Sequence, residues 1–451
     1  MTDGPILTGE SFAADATEAV APSPALPTIR WLIIGLCFVV NAISYIDRAT
    51  LAIGAPFIQR DLGIDSATMG LLLSGFFWTY ALMQVPYGWL VDRIGPRIVY
   101  AAAVAWWSVF TTLTGLVSGA ASIFATRLAL GAGEAACYPS NAKVAALWFP
   151  IRERGLAAGI FDSGARAGSA LALPLVAGLI SAYGWRPTFA AVGCLGFVWI
   201  LAWLFLYRDP AKHPRVTSTQ LSLLRSKQPN APTSTRIRWT SLFRYRTVWG
   251  MMLGFFCLNF VFYFFVTWFP SYLVHVRGFS LWQLGSLGTL PALAAIPSEW
   301  LGGWASDTLY RHGWSLTAAR KTCLVVGLVC ASSICVAAFT PGIVMTLGIF
   351  TLACSGAAFA AANVWSIPAD VAPCSDVVGL LGGIQNGAAN MAGVITSTFT
   401  GLMVQITGGS YIIPLLVSGG LCIVGALAYL FIVGPIEPLA ALPSKATSHA
   451  K

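Results

Sequence analysis

The sequence predicts an all-α membrane protein with twelve transmembrane helices in two pseudo-symmetric six-helix bundles. Three observations carry this. Of its 451 residues, 57% are hydrophobic and only 10% charged, against about 25% charged in ordinary soluble domains. Twelve apolar segments are long enough to cross a bilayer core, which takes about 20 helical residues. One long polar stretch, 208–246, divides them six and six, and a Gly-to-Asp motif recurs at the same place in each half.

The elements follow in order. Residues 1–29 hold no Lys or Arg and are rich in Ala, Pro and Thr. They lack the basic n-region and apolar h-region of a cleaved signal peptide. They are expected to form a disordered cytoplasmic tail, with the first span as an uncleaved anchor. The N-terminal bundle takes 30–207, with spans near 31–57, 66–92, 97–118, 120–148, 154–182 and 185–207. The linker 208–246 carries Lys212, Arg215, Arg225, Lys227, Arg236, Arg238, Arg244 and Arg246. The C-terminal bundle takes 247–434, with spans near 247–276, 280–307, 318–340, 342–370, 376–407 and 410–434. Residues 435–451 form a second tail. Segments longer than a bilayer needs are expected to tilt or to extend beyond it.

Six spans precede the linker, so it lies on the same side as the N-terminus, and its basic residues assign that side to the cytoplasm. Arg93, Arg97, Arg152, Arg154, Arg311, Arg320 and Lys321 fall on the same side, while Arg60, Arg186 and Arg277 fall on the other. The expected location is the cell (inner) membrane, with both termini cytoplasmic. This bias explains the net charge of +9 without nucleic-acid binding. The ten cysteines are scattered, mostly within spans and without metal-ligand spacing; they read as small buried hydrophobes. The four histidines lie in loops or tails. With no P-loop, nucleophile elbow or haem motif, nothing points to an enzyme or a cofactor.

Chemistry concentrates in charges inside spans. One charge at mid-bilayer costs at least about 2.5–3.5 kcal/mol, so such residues usually face a polar cavity and mark an ion or substrate path. Asp47-Arg48 sits in the first span, Arg127 and Glu134 in the fourth, and Asp162 and Arg166 in the fifth. Adjacent residues on a helix point about 100° apart, so Asp47 and Arg48 each need a partner on another span; Asp47 could meet Arg127. Arg127 and Glu134 share one helix face, roughly 10 Å apart along the axis. Glu134 lies among Gly131, Gly133, Ala135 and Ala136 with little polar company. It reads as a proton-coupling acid or as an interhelical hydrogen bond. Arg48 and Arg166 are candidate anion clamps, because a guanidinium fork matches a carboxylate bidentately. Asp162 and Arg166 stand at i,i+4, so mutual neutralisation competes with substrate contact there. If Arg166 is free, two arginines favour two carboxylates, or a carboxylate plus another acidic group. Glu299, after Pro297, is either a second coupling acid or a residue at the wet end of its span. Tyr45, Tyr80, Asn259, Tyr263, Asn363, Trp365, Gln385, Asn386 and Asn390 add polar tips.

The repeat reads Gly88-Trp89-Leu90-Val91-Asp92-Arg93-Ile94-Gly95-Pro96-Arg97 after the second span and Gly303-Trp304-Ala305-Ser306-Asp307 after the eighth. Asp92, Arg93, Arg97 and Asp307 are read as a gate latch, against the plainer reading of helix-end caps.

The first copy fits the G-x-L-x-D-R-x-G-x-R loop of the major facilitator superfamily, and Arg127-Leu128-Ala129-Leu130-Gly131 fits its fourth-span R-x-x-x-G motif. Ser44-Tyr45-Ile46-Asp47-Arg48-Ala49, the run from Arg127 to Pro139, and Trp148-Phe149-Pro150-Ile151-Arg152-Glu153-Arg154-Gly155 together resemble the anion:cation symporter family of that superfamily. The resemblance spans about 30–434. It implies alternating access between two bundles, with protons as the coupling ion. It is closest to proton-coupled sugar-acid symporters, and by it Asp47 and Glu134 correspond to the proton carriers and Arg48 to the carboxylate ligand. Trp365 and Asn386 correspond to site-lining positions of the C-terminal half. Tyr45, Tyr80, Arg127, Arg166 and Asn390 complete the candidate substrate-binding set. The chain departs from sugar-acid members at Ala165 and Arg166, where they carry uncharged polar groups.

The expected activity is import of an organic carboxylate, either a sugar acid or a small mono- or dicarboxylate. The expected partners are that anion and the lipid bilayer, with the monomer as working unit. An aromatic-acid symporter and a transporter-like sensor without flux are the rivals. A drug exporter is disfavoured, because the fifth span holds Leu173-Pro174-Leu175 without its usual Gly-Pro.

Overall fold

The computed structural model describes residues 27–149, 151–226, 239–373 and 375–439. Side chains at 151, 152, 154–156, 225, 226, 239, 375–377, 379 and 380 are not described. Residues 1–26 and 440–451 of the two tails, much of the basic linker, Cys374 and the side chains of Arg152 and Arg154 therefore lie outside the described residues. All described regular structure is helical.

The N-terminal half contains α1 (Ile29–Leu62), α2 (Ser66–Ile94), α3 (Pro96–Thr114), α4 (Ala120–Glu134), α5 (Cys137–Trp148), α6 (Ile151–Tyr183) and α7 (Trp185–Leu206). The linker contributes a short α8 (Ser218–Ser226). The C-terminal half contains α9 (Arg246–Thr267), α10 (Phe269–His275), α11 (Leu281–Ser286), α12 (Leu290–Arg311), α13 (Leu316–Ser332), α14 (Ile343–Val364), α15 (Ile367–Val371), α16 (Ser375–Ile406) and α17 (Ile412–Leu427).

Several expected spans are thus two helices in series. Their breaks have a common cause. Proline lacks an N–H and its ring clashes with the carbonyl four residues back. Pro139, Pro270, Pro291 and Pro368 each stand just after a break, separating α4 from α5, α9 from α10, α11 from α12, and α14 from α15. Two of these breaks place site residues: Glu134 ends α4, and Trp365 caps α14. Eight described helical stretches are long and apolar enough to cross a membrane unaided. The other four expected spans are α3, the α4–α5 and α11–α12 pairs, and α16. They are short, broken or more polar, as α16 is with Gln385, Asn386 and Asn390.

The pairing of helices is the same in both halves. In the first, α1 packs on α6, α2 on α4 and α3 on α7. In the second, the equivalent helices α9 and α16, α12 and α14, and α13 and α17 make the same contacts. Glycine permits the closest approaches: a Cβ on Gly133 would stand 2.6 Å from Trp106 Cδ1.

Across the halves, α2 packs on α16 and α6 on α11, again a symmetric pair. These contacts lie toward the loops 63–65, 276–280 and 407–410. There the backbone N–H of Ser66 donates to Gln405 Oε1 at 3.1 Å. A Cβ on Gly70 would stand 2.6 Å from the Ser397 carbonyl. Toward the opposite face, which bears the linker, the halves stand apart. The side chains of Asp92 and Asp307 are 68% and 61% exposed there.

Candidate substrate and proton site

A cavity of about 100 Å³ lies between the halves. Seven of the eight candidate substrate-binding residues line it together: Tyr45, Arg48, Tyr80, Arg166, Trp365, Asn386 and Asn390. They come from α1, α2, α6, α16 and the α14–α15 break, which no local spacing could have joined.

Arg48 is the centre of the N-terminal wall. Its Nε donates to Glu134 Oε2 at 2.7 Å. Its guanidinium carbon lies over three rings, at 4.7 Å from Tyr45, 4.5 Å from Phe76 and 4.6 Å from Tyr80. Cation–π contacts of this kind hold a guanidinium plane in one orientation. Its Nη2 is buried and has no hydrogen-bond partner among the described residues. Glu134 is fully buried, and its second oxygen is likewise unpartnered. The small residues around Glu134 suggested little polar company. The structure corrects this, because Arg48, 86 residues away, supplies an ion pair.

Asp47 lies behind the cavity wall, 1% exposed, with neither carboxylate oxygen hydrogen-bonded. The anticipated contact with Arg127 is not formed within ion-pair distance. Arg127 is buried, lies 5.8 Å over the Phe189 ring and leaves Nε and Nη2 unpartnered. It does not line the cavity, so the structure places it behind the wall and not among direct substrate contacts.

Arg166 does not neutralise Asp162, its i−4 neighbour. Its Nε meets Glu299 Oε2 at 2.7 Å, on α12 of the other half, and its Nη2 donates to Glu299 Oε1 at 3.1 Å. Asp162 accepts from the Tyr138 hydroxyl at 2.8 Å. Opposite, the Asn386 side-chain amide donates to Gln84 Oε1 at 3.4 Å, and Asn390 Oδ1 accepts from the Tyr263 hydroxyl at 3.4 Å. Trp365 is 45% exposed and meets Phe255 edge-on at 5.3 Å. Tyr138 and Gln84 were missed. For Gln84 the signal was present, since it stands four residues after Tyr80 on α2 and so on the same helix face; Tyr138 lies on α5, beyond the break that ends α4.

Behind this wall a buried chain of polar groups ties α1, α3, α5 and α6 together. Cys137 Sγ donates to Asn41 Oδ1 at 3.0 Å, Asn41 Nδ2 to the Phe161 carbonyl at 2.7 Å, and the Tyr100 hydroxyl to Asn141 Oδ1 at 3.0 Å. Fully satisfied buried networks rigidify what they join.

Among the described residues, the four latch residues pair only within their own halves. Asp92 pairs with Lys143 at 2.7 Å, Arg93 stacks on Trp89 at 5.2 Å, and Arg97 donates to the Leu204 carbonyl at 2.8 Å. Asp307 stands 3.6 Å from Arg320, which also reaches Asp370 at 3.2 Å. A latch across the halves is not formed in this state.

A model of the Major Facilitator Superfamily matches residues 37–382. The chain belongs to that superfamily. Among its relatives is the "Probable galactarate/D-glucarate transporter GudP" of Bacillus subtilis (strain 168), 35% identical, with 93% of this chain and 95% of the relative covered. The "D-galactonate transporter" of Escherichia coli O6:H1 is 33% identical, with 90% and 96% covered. The "Probable sulfoacetate transporter SauU" of Cupriavidus necator is 34% identical, with 89% and 94% covered. Among solved structures, a bacterial homologue of the lysosomal transporter Spinster, described as inward-facing and unoccupied, aligns with a TM-score of 0.74 at 20% identity, covering 90% of this chain and 97% of that one. That likeness establishes the fold. The protein is therefore a multi-pass membrane transporter of the major facilitator fold, related to sugar-acid and sulfoacetate transporters, and not an enzyme.

Proposed function

We propose that this transporter is a proton-coupled symporter that imports a small organic acid, with sugar acids as the leading class. One observation carries the reading. Arg48 faces the cavity with a buried, unpartnered Nη2, its Nε engaged by Glu134, and the unpartnered Asp47 next to it in sequence. A guanidinium with a free donor is a receptor for a carboxylate. A buried carboxylate without a partner is tolerated far better neutral than charged, which supports Asp47 as a group that takes up a proton during the cycle.

The sequence of events follows from charge. The substrate carboxylate takes Arg48, and Glu134, released from Arg48, takes a proton. Asp47 holds the second. The site then carries compensated charge and the halves rock. Each ligand drives this only through its differential affinity for the two states. Two protons with a monoanion carry net positive charge, whereas two with a dianion are electroneutral. The basic loops assign the linker face to the cytoplasm, and the opening between the halves faces that side. Both walls of the site come from one chain, so a monomer is the working unit.

A second reading has its own support. Phe255, Phe262, Tyr263 and Trp365 line the same cavity, and such a wall also suits an aromatic acid. The test is uptake by purified protein in proteoliposomes under an imposed inward proton gradient, with galactonate, glucarate, glucuronate, sulfoacetate, phthalate and lactate. Gradient-driven accumulation of one acid supports the symporter and names its class. Phthalate alone selects the aromatic reading. Binding without uptake of any acid selects a sensor and overturns the proposal.

A further inference from the structure

The charged groups of the cavity are shared unequally between the halves. Arg48 and Glu134 both belong to the N-terminal half and neutralise one another there. Arg166 belongs to the same half, yet its partner Glu299 comes from the other. Among the described residues this is the only ion pair that joins the halves. It is two-pronged, at 2.7 and 3.1 Å. The side chains are 22% and 19% exposed, so the pair borders open space and is not locked in a core. The local alternative is taken up elsewhere, because Asp162 is held by Tyr138.

A two-pronged guanidinium–carboxylate contact is the geometry by which arginine also grips a ligand's acid group. We propose that Glu299 stands, in the empty carrier, where the second acid group of a dianionic substrate binds, so that Arg166 is the subsite for that group. The inference rests on the organic-acid reading of the cavity. Arg48 then takes one acid group and Arg166 the other. Glu299 also lines a second, more open cavity with Trp300 and Trp365. Displaced from Arg166, it has that space to turn into.

Charge balance gives this arrangement a purpose. A guanidinium does not lose its proton in a protein. Each crossing therefore needs an anion beside Arg166. On the loaded crossing the substrate supplies it, and on the empty return Glu299 does. Glu299 thereby fixes two properties together: preference for two acid groups, and the ability to return empty.

The test compares acids that differ by one acid group, glucarate with gluconate and sulfoacetate with acetate, by equilibrium binding to the detergent-purified full chain. The wild type is expected to bind the two-acid member of the accepted pair about tenfold tighter or more, the worth of one charge-assisted contact. Glu299→Gln removes the competitor. It is expected to tighten the two-acid ligand further while leaving the one-acid ligand within about threefold, and Arg166→Gln is expected to erase the discrimination. In proteoliposomes, Glu299→Gln is expected to keep substrate exchange but to lose net uptake. A merely structural bridge would lower both together. Equal wild-type affinity for both members of each pair overturns the inference while leaving the symporter reading intact, and this comparison needs no variant to fold. Parallel loss of exchange and net uptake in folded Glu299→Gln also overturns it. Failure of the wild type to move any acid overturns the parent reading and this one with it.

Discussion

Replacing Arg48 by lysine keeps the charge and removes the fork. In the structure one nitrogen of Arg48 is held at 2.7 Å by Glu134, its plane is packed among three rings, and another nitrogen is buried without a hydrogen-bond partner. A lysine ammonium is a single point and cannot grip the substrate carboxylate with two parallel N–H donors once Glu134 has let go. The variant therefore loses one charge-assisted hydrogen bond to substrate, about 1.5–3 kcal/mol. At about 1.4 kcal/mol per decade, the substrate Kd should rise roughly 10–100-fold. Glu134 keeps a cation beside it, so the cost of a stranded buried charge, about 3–5 kcal/mol, is avoided and the fold should survive. Titration calorimetry on folded Arg48→Lys, with a substrate identified by uptake, checks this. A Kd within about threefold of wild type would refute the role of Arg48, since that is under 1 kcal/mol.

Two further outcomes follow from local geometry. Asp65 caps α2, accepting from the Thr68 backbone N–H at 2.7 Å, and this hydrogen bond holds its carboxyl below the usual range. Because the folded-state value is depressed, the cap stabilises above the unfolded-state value, about 3.9, and is lost as pH falls through the folded one. Asp65→Ala should cost about 1 kcal/mol near neutrality, with the Tm difference from wild type vanishing in acid; a pH-independent difference would refute the cap. Gly70→Ala would press a Cβ to 2.6 Å from the Ser397 carbonyl and 3.0 Å from Gly401 Cα. Overpacking costs about 1–3 kcal/mol, and here it falls only on the state closed at this face. Distances between labels on the 63–65 and 407–410 loops should lengthen; an unchanged distribution would refute this contact as the closed gate.

The sequence made the architecture legible because apolar length and the six–linker–six division are local properties of the chain. It also marked the residues that meet in the cavity, since charge in a span has few places to go. Partner choice was less visible. Arg48 meets Glu134 across 86 positions and Arg166 meets Glu299 across 133, where the nearest opposite charge, Asp162, stands one turn away. Helix packing decides these contacts, and spacing within one helix carries no information about it. Arg127 shows the same limit from the other side. Its place on the Glu134 face was legible, but its position behind the cavity wall depends on α7, which brings Phe189 over it. The latch motif is a third case. Its residues are where the repeat put them, yet their contacts belong to one conformational state, and a sequence encodes all states at once.

The most direct test of the central claim follows protons instead of substrate. Proteoliposomes with a pH-sensitive dye inside, given an outside-to-inside gradient of the transported acid and no initial pH difference, should acidify as substrate enters. Asp47→Asn should keep substrate exchange across the membrane and lose the part of that acidification carried by Asp47, leaving the part carried by Glu134. Equal proton entry in wild type and Asp47→Asn, or wild-type uptake with no proton entry, would contradict the assignment of the buried Asp47 to coupling.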